Sequence, residues 1–272
     1  MPGYTKAVPW RFPSLAVRTL ALAVFAIGAA CNTGPDVGRS SVPPAEAPRT
    51  PGPADAEADE IRQLLAYAIA AARWEGSSGP RTGHNVAAVL VAPDGMPVWW
   101  ERNSNTAAHS AIEHAEARLI RNYISDRREL GRPVSRLDGY SVYATLEPCV
   151  MCIGTMIMSE VDRVVYGQRD PTWGQAAERL SHDSRGRDRG FAPYPRQVVS
   201  MPSASPFRAR LDEAFRPRQM AITEWLDSVE AEAIFMDAVR TLQRHQPQHQ
   251  ENVALLDAAR AQYQLAVADR HR

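Results

Sequence analysis

The chain of 272 residues carries 31 Lys+Arg against 31 Asp+Glu, is 44% hydrophobic and has three cysteines. That length supports one sizeable core with appendages. A formal net charge of zero excludes a wholly basic polyanion binder, because non-specific nucleic-acid binding needs an excess of phosphate-neutralising side chains. Cys31, Cys149 and Cys152 are too few for a disulfide scaffold, and the Cys-x-x-Cys spacing of the last two points to metal or redox chemistry.

Taken in chain order, residues 1–31 read as an export signal. Lys6, Arg11 and Arg18 precede an apolar run of 11 residues from Leu20 to Ala30, and Cys31 follows. The run is shorter than the roughly 20 residues that span a bilayer as a helix. Gly28-Ala-Ala-Cys31 is similar to a bacterial lipoprotein cleavage box, in which the cysteine is lipidated, with Gly28 where leucine is usual. The other reading is a signal cut after Ala30 that leaves Cys31 a lone thiol. Either reading places the protein outside a bacterial cytoplasm: periplasmic, secreted, or held to a membrane only through a lipid anchor. Residues 32–58 are rich in Pro, Gly and Ala, cannot bury enough apolar surface to fold, and read as a disordered tether. Folding is expected to begin near Asp59.

Ile61, Leu64, Leu65, Ala68, Ile69 and Ala72 recur at helical spacing and predict a helix over 58–74 with one apolar stripe, ended by Gly76 to Pro80. Val86 to Val91 and Val98 to Trp100, separated by Pro93-Asp94-Gly95, predict a hairpin. A helix over 111–127, a strand over 140–146, a helix over 148–159 and a strand over 161–167 follow. This alternation indicates a layered α/β domain. Residues 181–205 read as an Arg- and Ser-rich loop with one weak strand at 197–201. Apolar residues return at helical spacing over 220–242 and 252–268 and predict a helical hairpin. Its seven arginines against eight carboxylates from Arg216 onward argue against a nucleic-acid arm.

The chemistry lies in two short strings. His114-Ala115-Glu116 is placed in the first turn of one helix, and Pro148-Cys149-Val150-Met151-Cys152 opens another, 35 residues on from His114 to Cys149. His-x-Glu followed by Pro-Cys-x-x-Cys is the pattern of zinc deaminases. Pro148 suits the first helical position, which places both cysteines at the positive end of a helix dipole, where thiolates are stabilised. His114, Cys149 and Cys152 supply three ligands for tetrahedral Zn²⁺, and the fourth position stays open for water, as in catalytic sites. Glu116 is then the catalytic proton shuttle between water, a ring nitrogen and the departing amine. The backbone N–H of Ala115 is a candidate contact to the reacting group. A redox pair would leave His114 and Glu116 without a role, and a structural zinc ribbon lacks its second cysteine pair. His84, His109, His182, His245, His249 and His271 have no comparable spacing partners; His109 is the one expected to line a pocket.

From Arg62 to Gly174 the chain resembles the cytidine deaminase-like superfamily, and most closely its tRNA-adenosine, guanine and cytosine deaminase branch. The strings that carry the resemblance are Thr145 to Cys152 (Thr-Leu-Glu-Pro-Cys-Val-Met-Cys), Arg163 to Gly167 and Arg169-Asp170. The resemblance implies an α/β/α fold with a mixed sheet of five strands, here a zinc deaminase domain over 59–205 with a helical C-terminal extension over 206–272. It implies base or ribose recognition by Asn103, 11 residues before His114, and places Trp173 where relatives contact substrate, to stack on a base or to pack in its loop. A homodimer is a further expectation from the resemblance. Ser110 to Glu113 and Asn85 to Ala88 depart from the branch's usual strings, so the pocket wall differs. The near-neutral C-terminal segment and the export signal turn the expectation from tRNA towards a free nucleobase or nucleoside. A nucleic-acid substrate and a catalytically silent binding module are the alternatives.

Overall fold

A helix and then a hairpin open the fold in the computed structural model, which describes residues 52–73 and 82–269. The export signal, Cys31, the tether up to residue 51, the Gly76 to Pro80 breaker and Trp74 lie outside the described residues. Helix α1 spans Pro53–Ala71, beginning five residues before the expected start. Pro53 costs nothing at the first helical position, where the missing N–H has no intrahelical partner. Asp55 Oδ2 accepts from the Gly52 N–H at 2.8 Å, and the following Ala and Glu residues are good helix formers. The tether reading therefore fails for 53–58: composition suggested disorder, and local capping chemistry won.

The strands are β1 (Ala87–Val91), β2 (Pro97–Arg102), β3 (Ser141–Ala144), β4 (Arg163–Tyr166) and β5 (Val199–Pro202), in the sheet order β2-β1-β3-β4-β5. β1 pairs antiparallel with β2 and β3, while β3, β4 and β5 run parallel. All five residues of β1 are buried, which is why it reads as a continuous apolar run and not an alternating one. β5 is the exposed edge.

On one side of the sheet lies α1, and the chain's C-terminal helices cover α1 in turn. Every residue from Leu64 to the α1 C-cap Ala72 is fully buried. The sequence predicted one apolar stripe; the helix is apolar all round because it is covered on two sides. Gln63 Nε2 donates to the Ala144 carbonyl at 3.1 Å and Tyr67 Oη to the Gly167 carbonyl at 2.8 Å, pinning α1 to the ends of β3 and β4. A Cβ at Gly167 would stand 2.5 Å from Tyr67 Oη, so only glycine admits this approach.

The remaining helices are α2 (Ala115–Glu129), α3 (Val150–Met158), α4 (Ala176–Leu180), α5 (Pro206–Phe215), α6 (Ile222–Leu226), α7 (Val229–Arg244) and α8 (Val253–Ala268). α2 packs on β1 and β2, with α3 beside it, completing the three-layer α/β/α fold. α7 and α8 both lie against α1. The helical pair that the sequence predicted therefore forms an outer layer of the same core: the apolar faces of both helices find a ready partner in α1. Their junction is fastened at Glu57, whose carboxylate accepts from the Gln248 N–H at 2.6 Å, His249 N–H at 3.1 Å and Asn252 Nδ2 at 2.8 Å. Among the described residues no helix is long and apolar enough to cross a membrane.

Candidate active site

His114 and Cys149 are the N-caps of α2 and α3, and Cys152 lies in the first turn of α3. The helices thus start later than predicted, α2 at Ala115 instead of residue 111, and Pro148 precedes the cap instead of following it. The loop over 105–113 is held by turns, with His109 at a φ of 49°, which no helix accommodates. This later start serves the site. A cap residue has extended backbone, so its side chain reaches across the helix end, where the first N–H groups are unpartnered and the dipole is positive.

Two helix N-termini therefore meet just past the end of β3. His114 Nδ1 lies 3.6 Å from both Cys149 Sγ and Cys152 Sγ, and the two sulfurs are 3.7 Å apart. Zn–S bonds near 2.3 Å and Zn–N bonds near 2.0–2.1 Å at tetrahedral angles require about 3.8 Å between sulfurs and about 3.6 Å from sulfur to nitrogen. The donor set fits zinc in chemistry and spacing. It is the one group of three metal-capable side chains found among the described residues.

The charges suit this reading. The Cys149 thiol is brought down to about 4 by its hydrogen bond with Cys152 and by His114, against the upward push of burial. Cys152 is pushed up by Cys149 and by burial. His114 is raised chiefly by its bond to Cys149, so a thiolate and an imidazole already attract each other here. Glu116, 3% exposed, has its carboxyl raised by burial, and its Oε2 lies 3.5 Å from Cys152 Sγ. A buried carboxyl whose pKa is raised above the ordinary carboxylate range, beside a metal site, is suited to proton transfer.

His114, Glu116 and Cys149 line a cavity of about 450 Å³, within the range of small-molecule sites, together with Asn103, Leu146, Asp170 and Trp173. Asn103 is 5% exposed, and its Oδ1 accepts from the Asn105 N–H at 3.1 Å, which leaves the NH₂ end of the amide for a ligand. Ala115 is buried behind the wall and does not line the cavity. Trp173 lines the cavity yet is 65% exposed, so it is not packed into its loop. His109 is exposed and does not line the cavity; the histidine that joins His114 in its lining is His84.

Several wall-forming residues were not legible in advance. Glu147, 5% exposed, accepts from the Asp170 N–H at 3.1 Å and the Gln175 N–H at 2.7 Å, and Asp170 Oδ1 accepts from the Thr172 and Trp173 N–H groups. One buried carboxylate thus shapes the loop that presents Trp173. Arg73, at the end of α1, donates to the carbonyls of Gly83, His84 (2.8 Å) and Asn103 (2.8 Å), joining two sides of the wall. Beside the metal ligands, Glu113 is gripped by Arg121 and Arg118, which hold its carboxyl down to about 2. Arg118 also pairs with fully buried Glu101 at 2.9 Å, so the residue before His114 is tied to the sheet. Thr223 comes from α6, far along the chain, and no local pattern could have announced it.

The profile of the cytidine and deoxycytidylate deaminase zinc-binding region matches residues 59–168, which hold all three candidate ligands and Glu116. The tRNA-specific adenosine deaminase of Agrobacterium fabrum is 33% identical over 115 residues, 42% of this chain and 70% of that protein. The chain belongs to the cytidine and deoxycytidylate deaminase zinc-binding family. The tRNA-specific adenosine deaminase of Bacillus subtilis is 37% identical over 89 residues, 33% of this chain. The match spans about half (52%) of that protein's length, and 16% of a tRNA(Ile)-lysidine synthase from Deinococcus deserti. Among solved structures, one from a study of A-to-I editing by tRNA:A34 deaminases is 27% identical, with a TM-score of 0.37, covering 51% of this chain and 95% of that one. Membership of the zinc-binding family agrees with the donor set.

Proposed function

We propose that this family member is a hydrolytic deaminase that replaces the exocyclic amino group of a free nucleobase or nucleoside by oxygen and releases ammonia. The observation that carries the reading is Glu116: a buried carboxyl with a raised pKa, 3.5 Å from a metal-ligating sulfur, at the wall of a base-sized cavity. Zinc held by His114, Cys149 and Cys152 supplies Lewis-acid chemistry that makes a water nucleophilic at neutral pH. Glu116 would take the first proton of the attacking water and deliver it to a ring nitrogen, then take the second from the new hydroxyl on the tetrahedral carbon and pass it to the amine, which leaves as ammonia. The Asn103 amide orients the heterocycle, and the Trp173 indole covers it from the open side. Retention of Glu116 argues against a silent binding module, which has no use for a carboxyl there.

A base within a nucleic acid is the second reading, and the names of the Agrobacterium and Bacillus relatives favour it. The charge distribution favours the small molecule. Residues 181–218 carry eight arginines against four carboxylates. Five of those arginines, Arg185, Arg196, Arg208, Arg210 and Arg218, already pair with carboxylates of the protein. Ammonia release by the zinc-loaded protein from guanine, adenine, cytosine, their nucleosides and single-stranded RNA and DNA decides between them. Release from a small molecule, lost in Glu116→Gln, supports the proposal. Release from polynucleotide alone selects the second reading, and silence throughout with zinc bound selects the binding module.

Export is part of the proposal and rests on the sequence of residues 1–31. Fractionation of expressing cells tests it: a lipoprotein moves from membrane to soluble fraction on Cys31→Ser, and a plain exported protein does not. A homodimer is likewise proposed from the family resemblance, and sedimentation measures it.

A further inference from the structure

The wall of the cavity is completed by a segment outside the family's matched span, and that segment holds a histidine in place. His84 lines the cavity, and its Nδ1 lies 3.2 Å from Asp227 Oδ2, at the end of α6. Asp227 Oδ1 accepts from the Asn85 N–H at 2.8 Å, so the carboxylate is braced from both oxygens. Ile222, Trp225 and Leu226 bury α6 in the core, which makes this short segment a fixed post. Thr223, between those anchors, enters the cavity beside His84. A carboxylate can only accept, so Nδ1 carries the proton, and in the neutral ring Nε2 is left as an acceptor. Among the described residues no hydrogen-bond partner is found for Nε2.

Depth assigns the ligand group. Glu116 is 3% exposed at the floor, whereas the His84 side chain is 37% exposed. A heterocycle whose amino-bearing carbon reaches the floor therefore extends its ring substituent towards His84 and Thr223. On a nucleobase that substituent is the sugar, whose hydroxyls donate to an acceptor such as Nε2. We propose that His84, positioned by Asp227, is a substrate-contacting residue that accepts a hydrogen bond from a sugar hydroxyl, so that the protein prefers ribosylated bases over free ones. This inference rests on the deaminase reading for the pose of the base, narrows it to nucleosides, and is tested separately.

Calorimetric titration of the full, zinc-loaded Glu116→Gln protein measures binding without turnover. The probes are adenosine, guanosine and cytidine, their free bases, and a short single-stranded RNA. Adding His84→Ala should weaken the bound nucleoside about tenfold, one lost hydrogen bond, while the free base binds as before and zinc content is unchanged. Asp227→Asn should reproduce part of the loss, and the imidazole ¹⁵N shifts of His84 should move from Nδ1–H to Nε2–H, which a purely structural role for Asp227 would not produce. Equal weakening of base and nucleoside, no weakening, or binding of free bases alone overturns the proposal. RNA that binds and loses affinity in His84→Ala while nucleosides do not bind keeps the sugar contact and identifies its source as a polynucleotide. Nucleoside binding that depends on His84, with no ammonia released by the wild-type protein, upholds this contact and sinks the deaminase reading.

Discussion

The floor and the mouth of the cavity are built on different plans. At the floor, two helix caps and the first turn of one helix bring three ligand atoms to within 3.7 Å of one another, from strings only 35 to 38 residues apart. At the mouth, His84 meets Asp227 across 143 residues of sequence, and Trp173 is presented by a loop that Glu147 shapes from 23 residues before Asp170. The floor is rigid because helix geometry sets it. The mouth is assembled from parts the chain can vary independently, so reaction chemistry and substrate choice reside in separable structures.

The comparison breaks most sharply at Glu116. Glu116→Gln should lower kcat by about 10²–10⁴ while leaving zinc stoichiometry and melting temperature near wild type; zinc loss in elemental analysis would remove Glu116 from the proton path. Replacing a ligand, as in Cys152→Ala, should abolish zinc binding and turnover together. Next in size is the loop brace. Glu147→Ala leaves one buried and one part-buried N–H group without their acceptor and should cost roughly 1–3 kcal/mol in denaturant unfolding, with KM rising as Trp173 loses its seat. Trp173→Ala should weaken substrate by about 2- to 12-fold, the worth of one aromatic contact of roughly 0.5–1.5 kcal/mol, and leave kcat little changed. Smallest is a pH effect. Glu113 is lowered from 4.5 to about 2, so its contribution is complete above pH 4.5 and fades as pH falls towards 2. The melting-temperature gap between wild type and Glu113→Gln should therefore close across that window.

The difference between floor and mouth also sets what the sequence discloses. His114, Glu116, Cys149 and Cys152 declare themselves because helix starts convert sequence spacing directly into spatial proximity. β1 and β3 are equally legible, as short apolar runs bounded by turn residues. The start of α1 at Pro53 is hidden by composition: the Pro, Gly and Ala content that suggests a tether also supplies a helix start and good helix formers. Glu147 looks like one more letter of the string around Cys149, and its clamp on Asp170 and Gln175 exists only once the loop over 170–175 folds onto it. His84, Thr223 and Asp227 have no pattern at all, since what joins them is the packing of Trp225 and Leu226 into a core formed elsewhere. His109 misleads for a simple reason: closeness to His114 in sequence says nothing once the loop turns it outward.

The burial of α1 has a practical consequence for anyone trimming this protein. Leu64 to Ala72 present no wettable side, because α7 and α8 roof the helix that the sheet supports from below. A fragment cut to the span shared with the family, 59–168, would lose that roof and display a bare greasy rod about two turns long. Such a fragment would clump before it could bind anything. The segment after residue 168 therefore shields α1 as well as supplying Asp170, Trp173 and Thr223 to the cavity wall.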